Sequence, residues 1–141
     1  VTRVLLDTNV LVSLLTDRDL EQQAAATRLF EKAADGKLQL ILHQAVITEL
    51  VYVLGNLYAV EATKVAAILD DLLATPGIEP VDEVSWPRLL DLWPVRFADF
   101  GDAVLASVAS EIPGAAIATF DQKFVRRLRR EGLRDYWHEE A

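Results

Sequence analysis

Short apolar runs and stretches of helical period alternate along this chain. Arg3-Val-Leu-Leu6 is β-prone and stops at Asp7, and Asn9 to Thr16 then carries an apolar stripe, so the start reads as strand, tight turn, helix. Asp19 opens a helix to Ala34, with Ala24, Ala25, Leu29, Phe30 and Ala33 at helical spacing and Gly36 as its stop. Leu38 to Leu42 is a second buried strand. From Gln44 to about Tyr58 the pattern is helical again, and Val46, Ile47, Leu50, Val53, Leu54 and Leu57 give so wide an apolar face that this helix is expected to be largely buried. A further helix spans Glu61 to Ala74 and ends at Thr75-Pro76-Gly77, and Ile78 to Val81 is a strand that Pro80 assigns to an edge or an end. Ser85 caps a helix reaching about Trp93. Asp99 to Ile112 is a helix headed by acids, Ala115 to Ala118 a crowded strand of small residues, and Phe124 to Glu131 a basic helix closed by Gly132. His138 then falls in a tail.

This alternation predicts an α/β fold, a central parallel sheet with helices on both faces in three layers. A length of 141 residues suits one core, hence a single domain over 1–141. No apolar run approaches the roughly 18 residues of a membrane span and no secretory signal is visible, which implies a soluble, cytoplasmic protein. The absence of cysteine excludes disulfides, thiolate zinc sites and cysteine nucleophiles, and leaves oxygen donors, His43 and His138 for any metal. A lone histidine such as His43 is more often structural. The formal charge of −8 argues at first against nucleic acid. Its distribution argues otherwise: residues 1–122 hold 8 Lys and Arg against 18 Asp and Glu, whereas 123–134 hold six against Glu131 alone. Taken by itself such a run is a solvated helix, though its density is also what a phosphate backbone would require.

In a parallel sheet the active site lies beyond the carboxyl ends of the strands. Asp7 follows the first strand and Asp121 the last, so two acids should meet there. Asp102 lies in the first turn of the preceding helix with Asp99 one turn earlier, and Glu49 sits in the apolar helix after the second strand, where a buried carboxylate needs a partner. Each has a plain alternative, in helix capping, a helix dipole, a turn or a salt bridge. Together they suggest a cluster that repels itself unless a cation neutralises it, and oxygen-only ligation favours Mg²⁺ or Mn²⁺. That combination suits phosphodiester hydrolysis, in which one carboxylate can orient or deprotonate the water.

Val4-Leu-Leu-Asp7-Thr-Asn9 resembles the opening motif of PIN domains, and Ala45-Val-Ile-Thr-Glu49-Leu, Phe100-Gly-Asp102-Ala-Val-Leu-Ala and Thr119-Phe-Asp121-Gln-Lys-Phe124 are similar to the three that follow, in order over about residues 2 to 125. The resemblance implies a Mg²⁺- or Mn²⁺-dependent ribonuclease. It assigns Asp7, Glu49, Asp102 and Asp121 as the metal-binding and catalytic set, Asn9 and Thr119 as orienting residues, and Asp99 as an auxiliary acid. Lys123, Arg126, Arg127 and Arg130 are the residues expected to meet RNA. Chains this short resemble VapC toxins, which implies a homodimer silenced by a VapB-type antitoxin. The apolar surplus of helices 44–58 and 61–74 is consistent with a second chain covering part of them. The alternative is a catalytically idle PIN fold acting as a protein-interaction module. An aspartyl-nucleophile phosphatase or a phosphate receiver fits less well, because Asn9 stands where the former needs a second Asp and no acidic pair or distal lysine is well placed for the latter. Trp86, Trp93 and Phe97 could stack bases, with core packing the plainer role for most of them.

Overall fold

The computed structural model describes residues 1–140. In chain order the elements are β1 (Thr2–Leu6), α1 (Thr8–Leu15), α2 (Leu20–Ala34), β2 (Leu38–His43), α3 (Gln44–Asn56), α4 (Ala62–Ala74), β3 (Ile78–Val81), α5 (Trp86–Leu92), α6 (Phe100–Ser110), β4 (Ala116–Ala118), α7 (Gln122–Arg130), β5 (Arg134–Asp135) and α8 (Tyr136–Glu140). The strands form one sheet of five in the order β3-β2-β1-β4-β5, with each neighbouring pair parallel. Helices cover both of its faces, the three-layer arrangement that the alternation predicts.

β1 is central, with Val4 paired to Leu40 on one side and Ala116 on the other. A strand covered on both faces has no solvent side, so Val4, Leu5, Leu6, Leu40, Ile41, Leu42 and Ile117 are all wholly buried and show no polar alternation. The small side chains of β4 let α6 and α8 both pack on it. α1 is buried through Val10, Leu11, Val12 and Ser13, because α2 and α3 both rest against it. Ser13 is satisfied there: its hydroxyl donates to Gln22 Oε1 at 2.8 Å and accepts from Arg18 Nε at 3.0 Å. Between α4 and β3 the chain turns at Gly77, whose φ is +84° and where an added Cβ would lie 2.7 Å from the carbonyl oxygen of Ala33.

Two expectations change. Residues 134–140 are structured: β5 adds to the sheet beside β4, with Ala116 opposite Arg134, and α8 packs behind it, so His138 lies in a helix rather than a tail. α3 is also less buried than its composition suggests. Val46, Leu50 and Leu54 face the core, while Val51 and Tyr52 are exposed, because the apolar residues of α3 form two faces and its packing against α1 and β2 covers only one.

Candidate active site

The sheet order places one topological feature where chemistry can gather. From β1 the chain moves outward through β2 to β3, then returns to β4 on the other flank, so the connections diverge above the carboxyl ends of β1 and β4. Asp7 leaves β1 at that point, and its backbone N–H donates to the carbonyl of Ala118 at 3.0 Å. Asp121 leaves β4 beside it.

A cavity of about 190 Å³ opens there, and Asp7, Glu49, Asp99, Asp102 and Asp121 all line it, together with Asn9 and Gly101. Val46 and Leu105 supply apolar wall. The four acids expected to act together, and the auxiliary Asp99, therefore share one space. Three of them are also helix caps, so the plain reading and the functional one coincide. Asp7 Oδ1 accepts from Thr8 N at 2.8 Å at the start of α1, Asp99 Oδ1 from Asp102 N at 2.9 Å at the start of α6, and Asp121 Oδ1 from Lys123 N at 2.9 Å at the start of α7. Glu49 is exposed at the cavity wall rather than buried in α3, and so does not need the partner that burial would have demanded.

Asn9 and Thr119 connect the two strand ends. The Thr119 hydroxyl donates to Asp7 Oδ2 at 2.7 Å, Asn9 Nδ2 donates to the same oxygen at 3.2 Å, and Asn9 Oδ1 accepts from Phe120 N at 2.9 Å. Thr119 Oγ1 also accepts from Asp121 N at 3.1 Å. One amide and one hydroxyl thus fix Asp7 and the backbone of Asp121 relative to each other. His43 is elsewhere: buried, it caps α3 through Nδ1, which accepts from Ala45 N at 3.0 Å, and Nε2 meets the carbonyl of Glu83 at 3.1 Å.

The cavity is short of positive charge. Burial pushes the Asp7 carboxyl up to about 6, against the Thr119 and Thr8 hydrogen bonds that favour its ionised form, and Glu49 and Asp121 add to the rise. Asp102 is pushed up to about 7, first by burial and then by Asp99, Asp7 and Asp121, with Arg127 opposing. Among the described residues, no three Asp, Glu or His groups stand close enough to ligate one ion. The donor set nonetheless fits a hard divalent cation: it is all oxygen, and two of its carboxyls, Asp7 and Asp102, resist ionising, which a cation would relieve.

Of the residues expected to meet RNA, Lys123, Arg126 and Arg130 are exposed on α7 and carry no ion pair among the described residues, whereas Arg127 is half-buried and near enough to act on Asp102. Arg129 is committed elsewhere, bonded to Asp135 at 3.2 Å. Phe97 is fully buried, Trp93 half-buried and Trp86 exposed. Sequence reasoning missed Gly101, which lies between two cavity acids; a Cβ there would sit 3.2 Å from Asp99 Oδ1. The signal was a glycine in the first turn of a helix, where it costs stability without an evident reason.

Residues 3–123 match the family model described as PIN domain. No curated protein matches. Among solved structures, the chain is similar to VapBC-1 from nontypeable Haemophilus influenzae, at 14% identity and a TM-score of 0.67 over 96% of this chain and 97% of that one. It is also similar to VapBC2 from Rickettsia felis bound to a DNA fragment from their promoter, at 20% identity and a TM-score of 0.66 over 89% and 92%. The PIN domain endonuclease Utp24 is similar at 17% identity and a TM-score of 0.52 over 90% and 77%.

Proposed function

The chain belongs to the PIN-domain family, and on that premise we propose that it is a divalent-metal-dependent endoribonuclease of the VapC kind, the toxin of a pair whose other member is a VapB-type antitoxin. The observation that carries this reading is the single cavity lined by five acids at the point where the strand connections diverge. An idle interaction module would have no use for carboxylates held against their own repulsion.

In this reading Asp7, Glu49, Asp102 and Asp121 hold Mg²⁺ or Mn²⁺, and Asp99 supports them. A divalent ion bound there would supply charge to neutralise what develops on the phosphate, and would make an attacking water more acidic. Asn9 and Thr119 keep Asp7 oriented, since both donate a hydrogen bond to its Oδ2. The exposed cations Lys123, Arg126 and Arg130, with Arg127 closer in, attract the RNA backbone to a protein whose overall charge of −8 would repel it. We read residues 1–141 as one such domain, because β5 and α8, beyond the matched segment, complete the same sheet and its cover. A cytoplasmic setting is part of this reading; no described helix is long and apolar enough to cross a membrane.

The test is cleavage itself. Protein freed of any partner should cut RNA with Mg²⁺ or Mn²⁺, stop in excess chelator, and lose activity on Asp121→Asn, which keeps the cap on α7 but removes a charge. Metal-independent cleavage, or none on any structured or single-stranded RNA, would overturn the proposal.

A further inference from the structure

The cap and first turn of α6, residues 99–102, do two different things. Asp99, Gly101 and Asp102 line the acidic cavity, while Phe100, between them in sequence, is 43% exposed. An aromatic ring left in water forgoes burial energy, and this region had room for aromatics in its core: Phe97 and Phe124 pack there edge to face, their centroids 6.0 Å apart. Phe100 is instead braced from one side. Its ring meets Trp93 at 5.1 Å and 86°, and the Trp93 indole donates from Nε1 to the carbonyl of Ala98 at 3.2 Å, so the brace is itself tied down. A T-shaped contact engages at most one face of the Phe100 ring, and Gly101 has no side chain to cover it. The other exposed aromatics among the described residues, Tyr52, Tyr58 and Trp86, are not flanked on both sides by residues of the cavity wall.

We infer that Phe100 is a substrate-positioning platform, on which a base of the RNA strand stacks next to the phosphate held at the acidic cavity. The inference rests on the reading of that cavity as an RNA-cleaving site and adds what holds the strand in register there. Every base offers a flat π-face, so a single fixed ring grips a strand with little demand on sequence, and the larger purine faces gain most. Its neighbours along the chain favour a base over a protein helix: Asp99 and Asp102 stand on either side of Phe100 in sequence and line the cavity, whereas a docking helix needs a contiguous apolar face. A cation for the backbone stands nearby on Arg127, which acts on Asp102.

The experiment compares wild type with Phe100→Ala, Phe100→Leu and Phe100→Tyr on two readouts. In the first, a ten-nucleotide single-stranded RNA with 2-aminopurine scanned through its positions is bound to Asp121→Asn protein in Mg²⁺, alone and with each Phe100 change. Stacking quenches the probe, so one or two adjacent positions should darken with Phe100 or Tyr and stay bright with Ala or Leu. In the second, cleavage of the same RNA without the probe should show KM raised about 5- to 100-fold by Phe100→Ala and Phe100→Leu with kcat changed far less, and near-normal values for Phe100→Tyr. Leu keeps the apolar bulk, so equal behaviour of Leu and Phe would overturn stacking, as would a probe that stays bright with wild-type Phe100. Quenching without any cleavage would sink the nuclease reading while leaving the platform standing. If Phe100→Ala spares RNA binding but weakens self-association in sedimentation, the ring belongs to a protein interface and the inference is wrong.

Discussion

Asp102 is the cavity acid whose behaviour separates function from structure most cleanly. Asp7→Asn is a poor probe of charge alone: the new Nδ2 would face the Asn9 amide and Thr119, which now donate to Asp7 Oδ2, so a hydrogen-bond conflict would be mixed with the loss of charge. Asp121 and Asp99 are caps. Asp102 caps nothing, and its carboxyl is raised from 3.8 to about 7. A carboxyl raised in the folded state contributes stability below its unfolded pKa near 4, and that contribution is lost as pH climbs through the folded value. Wild type without metal should therefore weaken between about pH 4 and 7 from this source. Asp102→Asn has no proton to lose. At pH 8 and without metal it should be more stable than wild type by about 1–2 kcal/mol, after discounting the shift for the solvent that reaches the group, with the advantage fading toward pH 4. Mg²⁺ should raise the wild-type melting midpoint and leave the variant's nearly unchanged. Thermal melts at pH 4 and 8, with and without Mg²⁺, measure both; a variant destabilised at pH 8 would make Asp102 a structural acid. Which acids gather was legible in the sequence, because strand ends and helix starts fix where Asp7, Asp102 and Asp121 emerge. That three cavity acids would double as caps was open, since capping and ligation use the same residue types at the same positions.

At the scale of elements, strand-and-helix alternation was readable wherever apolar residues repeat, and failed where they do not. β5 is Arg134–Asp135, two polar residues with no period to detect, and it exists because β4 offers a free edge and Arg129 and His138 N satisfy the buried Asp135. α3 misled for the opposite reason: it has apolar residues to spare, so composition implied burial that geometry does not provide. α7 reads correctly as basic, but its cations divide by partner. Arg126 and Arg130 are exposed and carry no ion pair among the described residues, while Arg129 holds Asp135 and Arg127 leans toward Asp102. Replacing Arg126 and Arg130 together with Gln should raise KM for RNA about tenfold and lower the slope of log affinity against log salt by about 1.4, at about 0.7 per lost phosphate contact on a single strand. Arg129→Gln should leave that slope unchanged and lower the melting temperature instead, because a buried carboxylate loses its partner. Cleavage measured across a salt series distinguishes the two. Equal slopes for wild type and the double variant would return α7 to the role of a solvated surface.

For the whole molecule, the unspent apolar surface is the feature that one chain does not explain. α3 and α4 enclose a groove of about 590 Å³ walled by Val51, Tyr52, Val60, Val65, Ala66 and Leu69. Tyr52 is 63% exposed at its rim and Val51 40%. Leu73, Leu57 and Tyr58, also exposed, belong to α4 and to the segment joining the two helices. Contiguous apolar surface of this kind on a small domain is what a second chain covers. Glu49, one turn before Tyr52 and Val53 on α3, lines the acidic cavity, so the groove and the site share this helix. A dimer of this chain needs roughly 800 Å² from each copy, and the exposed faces of two adjacent helices can supply it. The expected state is therefore a homodimer at micromolar concentration. Val51→Asp with Tyr52→Asp should shift it to monomer while leaving the melting temperature within a few degrees, because both side chains already face solvent and cost little to make polar. Cleavage per chain should survive in the monomer, since every acid of the cavity comes from one copy. Sedimentation velocity over a concentration series decides. A wild-type monomer at every concentration, with no binding of a dye for exposed apolar surface, would remove both the dimer and the groove as an interface. A dimer that the two aspartates do not disturb would move the interface to another face and leave the groove to the antitoxin.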